Sequence, residues 1–339
     1  MKTFAFIAFF ATAFSSFADN SLEDISPHFS TNMPIVWQAG TNQLPKSFWI
    51  YKRLPPHPFP VTIISNAIVL ASLQKKGFPK PSTNDFYIAE EHPPDYPSTI
   101  PVIFSITPKS ASIFYSQPHP GTDTTDIPAD NILARRARDR AAELGIDPVQ
   151  IAFKNITSHF NQDENANDIT NQLCGRGVYL SRQLDGVLFW GNGENGDEEG
   201  FWIEFGSHGQ VRAFSLVWPD LKRDEFLQTA SPQQIIACIR AFKTLMPPNH
   251  QETDYFQRLK SFTNAKKLTV TKITPYYMEG FYGTTPTNDA PSQIIAPFAE
   301  LEAVADFGNS NATVKLLAPI LSSETSRLSK ASVQPTQMR

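Results

Sequence analysis

The chain has 339 residues, a formal net charge of −4 and two cysteines. The net charge is weakly negative and the Lys and Arg residues are dispersed, so the sequence has no basic cluster of the kind that binds nucleic acid. The length allows one large domain or two to three smaller ones.

Residues 1–18 have the three parts of a secretory signal peptide. Lys2 supplies the charged region, an apolar run extends from Phe4 to Phe14, and Ser16-Phe17-Ala18 supplies small residues for cleavage. This run is shorter than the roughly 20 residues of a transmembrane helix, and no later run approaches that length. We therefore expect a secreted or periplasmic protein without a membrane span, with a mature chain that begins at Asp19.

Residues 19–60 are rich in Pro, Asn and Ser. The proline-rich stretch from Pro55 to Pro60 is incompatible with a helix or a central strand. We expect an extended arm that lays its aromatic residues on the body of the protein; these are Trp37, Phe48, Trp49 and Tyr51.

Residues 61–125 predict a helix followed by strands. The amphipathic pattern of Val61 to Lys76 stops at Gly77, a typical C-terminal cap. The strand-like runs that follow are Asp85 to Ala89, Ile100 to Thr107 and Ala111 to Ser116.

Residues 126–222 repeat this order with clearer β-signals. A helix is predicted from Ile127 to Leu144, where Gly145 ends the apolar periodicity. Asp185-Gly186 is a strong two-residue hairpin signal between two strands. Alternation in Phe201–Phe205 and in Gln210–Trp218 predicts that Phe201, Ile203 and Phe205 share a buried face with Phe214, Leu216 or Trp218.

Residues 231–321 begin with Ser231-Pro232-Gln233-Gln234, a capping-box start for a helix that extends to Met246. Residues 322–339 form a polar tail. The predicted strands are Lys267 to Thr274, Ile294 to Phe307 and Ala312 to Leu317.

A helix followed by strands thus recurs along the chain. Helices on one face of antiparallel sheets give an α+β fold. We expect two-layer units of one helix packed on an antiparallel sheet, repeated two to three times.

Part of the chain resembles a known kind of module. The helix ends in E-L-G-I at Glu143 to Ile146, and the strands carry D-G-V-L-F-W-G and G-F-W-I-E-F-G-S-H-G-Q-V-R-A-F. This region, Ile127 to Pro219, resembles PepSY-type modules and is also similar to cystatin-like helix-plus-meander sheets. The resemblance implies a non-enzymatic role in binding or inhibiting an exported partner, and it assigns no functional residues.

Motifs for catalysis and metal binding are not found in the sequence. The seven histidines are never within four positions of one another, and no nucleophile elbow or phosphate-binding glycine loop occurs. The loop Gly191–Gly200 offers Glu194, Asp197, Glu198 and Glu199 as oxygen ligands for a hard cation. Acidic residues and glycine are also ordinary hairpin-loop composition, so we interpret it as a solvated loop without a metal. We assign no cofactor and no catalytic residue.

The residues therefore favour a secreted, non-catalytic binding or regulatory module that acts on an exported protein or peptide. Two alternatives stay open: a secreted hydrolase whose acid and base are distant carboxylates, and a structural surface protein without a site. The pairing of Cys174 with Cys238 and the use of the glycosylation tripeptides at Asn155 and Asn311 also stay open.

Overall fold

A computed structural model describes residues 29–322 apart from 31, 41–42, 56, 74–86, 92–101, 118–125, 163–170, 191–198, 242–243, 245–261 and 280–293. Contacts divide the chain into two compact units. One contains residues 51–223, and the other contains residues 1–50 with 224–339. No helix in these described ranges is long and apolar enough to cross a membrane.

The described residues form three α-helices and fourteen strands. The helices are α1 Val61–Leu70, α2 Asp130–Glu143 and α3 Pro232–Arg240. The strands are β1 Ile35–Trp37, β2 Ser47–Arg53, β3 Tyr87–Glu91, β4 Val102–Thr107, β5 Ser112–Ser116, β6 Ile151–Gln162, β7 Asn171–Leu184, β8 Val187–Phe189, β9 Gly200–Phe205, β10 Val211–Val217, β11 Leu221–Gln228, β12 Lys267–Glu279, β13 Ile294–Asp306 and β14 Asn311–Pro319.

The unit of residues 51–223 is built on an antiparallel sheet in the order β6-β7-β9-β10-β5-β4-β3. The predicted hairpin at Asp185-Gly186 is confirmed. Both turn residues have positive φ, 50° and 79°, as a type I′ turn requires, and Leu184 pairs with Val187.

The β9–β10 hairpin forms the predicted buried face. Phe214 pairs with Ile203 and Leu216 pairs with Phe201, and all four side chains are at most 1% exposed. Side chains alternate across a strand, so Trp202 and Glu204 lie on the opposite face of the sheet.

The two helices of this unit pack into one hydrophobic core. Leu133, Ala137 and Ala141 recur at helical spacing along α2 and are fully buried. Gly145 ends the helix with a φ of 92°, and the amide of Ile146 donates to the Ala141 carbonyl. Side chains of α1, β4, β5, β7, β9 and β10 contribute to the same core.

The other unit has a mixed sheet. β1 runs parallel to β12, while β12 with β13 and β13 with β14 are antiparallel. Helix α3 begins with the predicted capping box: Ser231 Oγ accepts from the Gln234 amide and the Gln234 side chain accepts from the Ser231 amide. It ends at Arg240, before the predicted Met246.

The prediction of two to three repeated units, each with one helix on an antiparallel sheet, is wrong. The described chain is mostly mixed β-sheet with three helices. The predicted segments do not close separately, because α1 and α2 share one core with strands from both segments. The expected arm supplies β1 and β2, and β1 is a parallel strand in the sheet of the other unit.

Candidate functional site

The predicted acidic loop ends in a buried ion-pair cluster. Glu194, Asp197 and Glu198 lie outside the described residues, whereas Glu199 is described and is 7% exposed. Its carboxylate accepts from Arg53 Nη2 at 2.6 Å and from Arg182 Nη1 at 2.9 Å. The interpretation of Glu199 as a solvated loop residue is therefore wrong.

Glycine at position 200 explains how Glu199 reaches this place. A Cβ atom there would lie 2.5 Å from the Leu180 carbonyl oxygen, so only glycine allows the chain to approach β7 this closely. The Arg182 amide then donates to the Glu199 carbonyl at 3.0 Å. The backbone contact brings the two side chains together.

Arg182 is enclosed on several sides and is 4% exposed. Its guanidinium carbon lies 4.5 Å from the centre of the Trp218 ring, a cation–π contact, and Nη1 donates to the Pro219 carbonyl at 2.6 Å. Burial lowers the pKa of Arg182, and Glu199 opposes that shift. Burial likewise raises the pKa of Glu199, and the two guanidinium groups oppose the rise. Because arginine stays protonated in proteins, the cluster contains two cations around one carboxyl group.

A cleft of about 100 Å³ lies beside this cluster. Its walls are largely apolar, with Phe59, Ile63, Trp218 and several prolines, and Arg53, His57, Ser110 and Asp220 also line it. The cleft thus combines apolar walls with a few polar side chains.

His57 lies at the edge of the cleft, where both of its ring nitrogens face hydrogen-bond acceptors. Nδ1 lies 3.0 Å from the Pro58 carbonyl oxygen and Nε2 lies 2.6 Å from the Asp220 carboxylate, an arrangement that favours the protonated ring. The bond to Pro58, and then the bond to Asp220, raises the pKa of His57. A protonated imidazole has no lone pair to accept a proton, so this geometry does not favour His57 as a general base.

Strand β6 is the last strand on one side of its sheet in the part of the chain that the structure describes. Among the described residues it pairs with β7 alone. Phe153 is 40% exposed and Phe160 is 53% exposed, near its two ends. Register shifts occur between Phe153 and Asn155 and between His159 and Phe160. At the second shift Cys174 is the extra residue of β7, and its thiol donates to the His159 carbonyl at 3.3 Å.

The central part of β6 carries an imidazole–carboxylate pair. His159 Nδ1 lies 2.9 Å from Glu204 Oε2, and the hydrogen bond to Glu204 raises the pKa of His159. Two glycines of β7 leave space for the side chains of Glu204 and Trp202: a Cβ at Gly175 would lie 2.4 Å from Glu204 Oε1, and one at Gly177 would lie 2.5 Å from the Trp202 indole nitrogen.

The two cysteines, whose pairing the sequence left open, are not joined: neither Cys174 nor Cys238 is in a disulfide.

These groups could not be found from local sequence patterns, because several of their partners are far apart in the chain. Arg53 and Glu199 are 146 positions apart, and His57 and Asp220 are 163 apart. One signal was present at Glu204, an acidic residue inside a strand of Phe, Trp and Ile.

In the described part of the chain, no three His, Cys, Asp or Glu side chains are grouped to hold a metal ion. No protein-family model matches the chain, and no curated protein matches it significantly.

Proposed function

We propose that this chain is an exported, non-catalytic binding protein that recognises an extended segment of a protein or peptide by strand addition along β6. The observation that carries this proposal is the edge position of β6, with an exposed phenylalanine near each end. An edge strand presents unpaired backbone groups that an added strand can bond, and pockets or exposed side chains add specificity.

The details of β6 describe the segment that it would accept. Residues Asn155 to His159 keep an uninterrupted register with β7 between the two shifts, which leaves a regular stretch for pairing. A partner segment with apolar side chains opposite Phe153 and Phe160 therefore complements it.

The test uses a displayed library of random dodecapeptides, selected on the mature chain. Binding by strand addition protects the amides of β6 from hydrogen exchange, because they gain partners. We expect the selected peptides to protect residues 151–162 and to lose at least about ten-fold in affinity when Phe153 and Phe160 are both replaced by serine.

Phe226→Ser is the matched control, because Phe226 is 56% exposed on another strand. It should leave peptide affinity unchanged. Peptides that protect no part of β6, or that bind the double variant as tightly as the native chain, would refute the proposal. Export is tested separately: N-terminal sequencing of the protein from the medium or periplasm should begin at Asp19.

A further inference from the structure

We propose that the turn Gly206–Gly209, between β9 and β10, holds a small tetrahedral dianion such as inorganic phosphate against Arg212. The turn lies in the unit of residues 51–223. This site does not depend on the strand addition proposed for β6. It is supported by the burial of Arg212, by the approach of a second arginine to the same turn, and by the charges around both.

Arg212 is a buried cation. It is 1% exposed, and in the described part of the chain neither Nε nor Nη1 has a hydrogen-bond partner. Glu204, the buried carboxylate of β9, pairs with His159 instead. Arginine stays protonated in proteins, so Arg212 does not become neutral on burial. Because an unpaired buried charge destabilises the folded state, an anion that pairs with Arg212 stabilises it.

Two local features direct Arg212 to the turn. Arg212 is the extra residue of β10 at the register shift between Val211 and Ala213. Such a bulge changes the direction of a side chain, and bulges are frequent beside functional sites. The guanidinium then lies against Gly206, where a Cβ atom would overlap Arg212 Nε. Glycine at position 206 therefore leaves the space that the guanidinium occupies.

A second arginine approaches the other end of the turn. A Cβ atom at Gly209 would overlap Nη1 of Arg136, a half-buried residue of α2. The same nitrogen donates to the His208 carbonyl at 3.5 Å. The Gly209 amide donates to the Gly206 carbonyl at 3.0 Å, which closes the turn. Two guanidinium groups thus lie against one turn of four residues.

The charges at the turn favour a dianion. Among the described residues, the acidic side chain shown at this turn is Asp126, which lies 3.7 Å from His208 Nδ1. Its side chain is 78% exposed, so water screens its charge. Two guanidinium charges complement a dianion better than a monoanion. The planar fork of each guanidinium suits the oxygens of a phosphate group, and the burial of Arg212 favours a small ion.

The first experiment requires no variant. The native chain is titrated with phosphate, sulfate, nitrate and acetate at constant ionic strength, at a pH where phosphate is a dianion, and binding is measured by calorimetry. We expect both dianions to bind at least about ten-fold more tightly than both monoanions. Equal binding of dianions and monoanions would refute the proposal.

Glycerol 3-phosphate distinguishes a free ion from a phosphate ester. It should bind more weakly than inorganic phosphate, because Arg212 is enclosed. Binding as tight as that of phosphate would support the dianion site and assign it to an ester.

The second experiment localises the site with Arg212→Met. This variant should lose at least about ten-fold in phosphate affinity. In buffer without phosphate or sulfate it should melt no lower than the native chain, because methionine removes the buried charge and keeps the apolar part of the side chain. A large fall in melting temperature under these conditions would show that the protein itself neutralises Arg212, and the proposal would then be wrong.

Arg136→Gln tests the second charge without altering the buried arginine. It should weaken phosphate binding several-fold. Arg135→Gln is the matched control, because Arg135 is an exposed arginine one position away on α2, and it should bind phosphate like the native chain. Equal affinities of these two variants would contradict a site at the turn. The double serine variant of Phe153 and Phe160 should bind phosphate normally, which separates this site from β6.

Discussion

Replacing Glu199 by methionine tests the buried cluster most directly. The substitution keeps side-chain length but removes the acceptor shared by Arg53 and Arg182. Arg182 then retains its bond to the Pro219 carbonyl and its contact with Trp218, but its charge has no buried counter-charge. Removing one partner of a buried ion pair costs about 3–5 kcal/mol. Most of this cost comes from Arg182, because Arg53 is partly exposed and water can solvate its guanidinium once the carboxylate is removed.

The assay is equilibrium unfolding in urea followed by circular dichroism. The double variant Glu199→Met with Arg182→Met should recover most of the loss, since no uncompensated buried charge remains. Arg140→Gln is the control, because it breaks an exposed pair with Glu143 and should cost less than about 1 kcal/mol. If Glu199→Met cost no more than this control, the cluster would not be a buried ion pair.

Three further outcomes are expected. Phe201→Ala should cost about 3–5 kcal/mol in the same unfolding assay, because Phe201 is 1% exposed; a loss below about 1 kcal/mol would place it at the surface. Because the bond to Glu204 raises the pKa of His159 above 6.5, the folded chain holds this proton more tightly, so unfolding free energy measured against pH should fall as pH rises through the folded pKa. Glu204→Gln should remove that step. Calcium should leave the melting temperature unchanged, and a rise that disappears when the acidic residues of Gly191–Gly200 are neutralised would contradict this.

The sequence by itself determined the local elements whose signals lie within a few residues. The Asp185-Gly186 turn requires positive φ, the Ser231 capping box satisfies helix amides, and alternation sets the buried face of β9 and β10. Each of these features depends on neighbouring residues, so it can be predicted without knowing how the rest of the chain folds. Strand β6 was missed because its register shifts disturb the alternation that identifies a strand.

Only the tertiary structure decided which distant groups meet. Glu199 has the composition of a solvated loop, but Gly200 brings it against β7, where Arg182 and Arg53 hold it in a buried pair. The number of units was decided in the same way, since α1 and α2 could bury their apolar faces in separate cores or in one. Burial and pairing depend on packing between segments that are separated in the chain, and no local pattern encodes which of them meet.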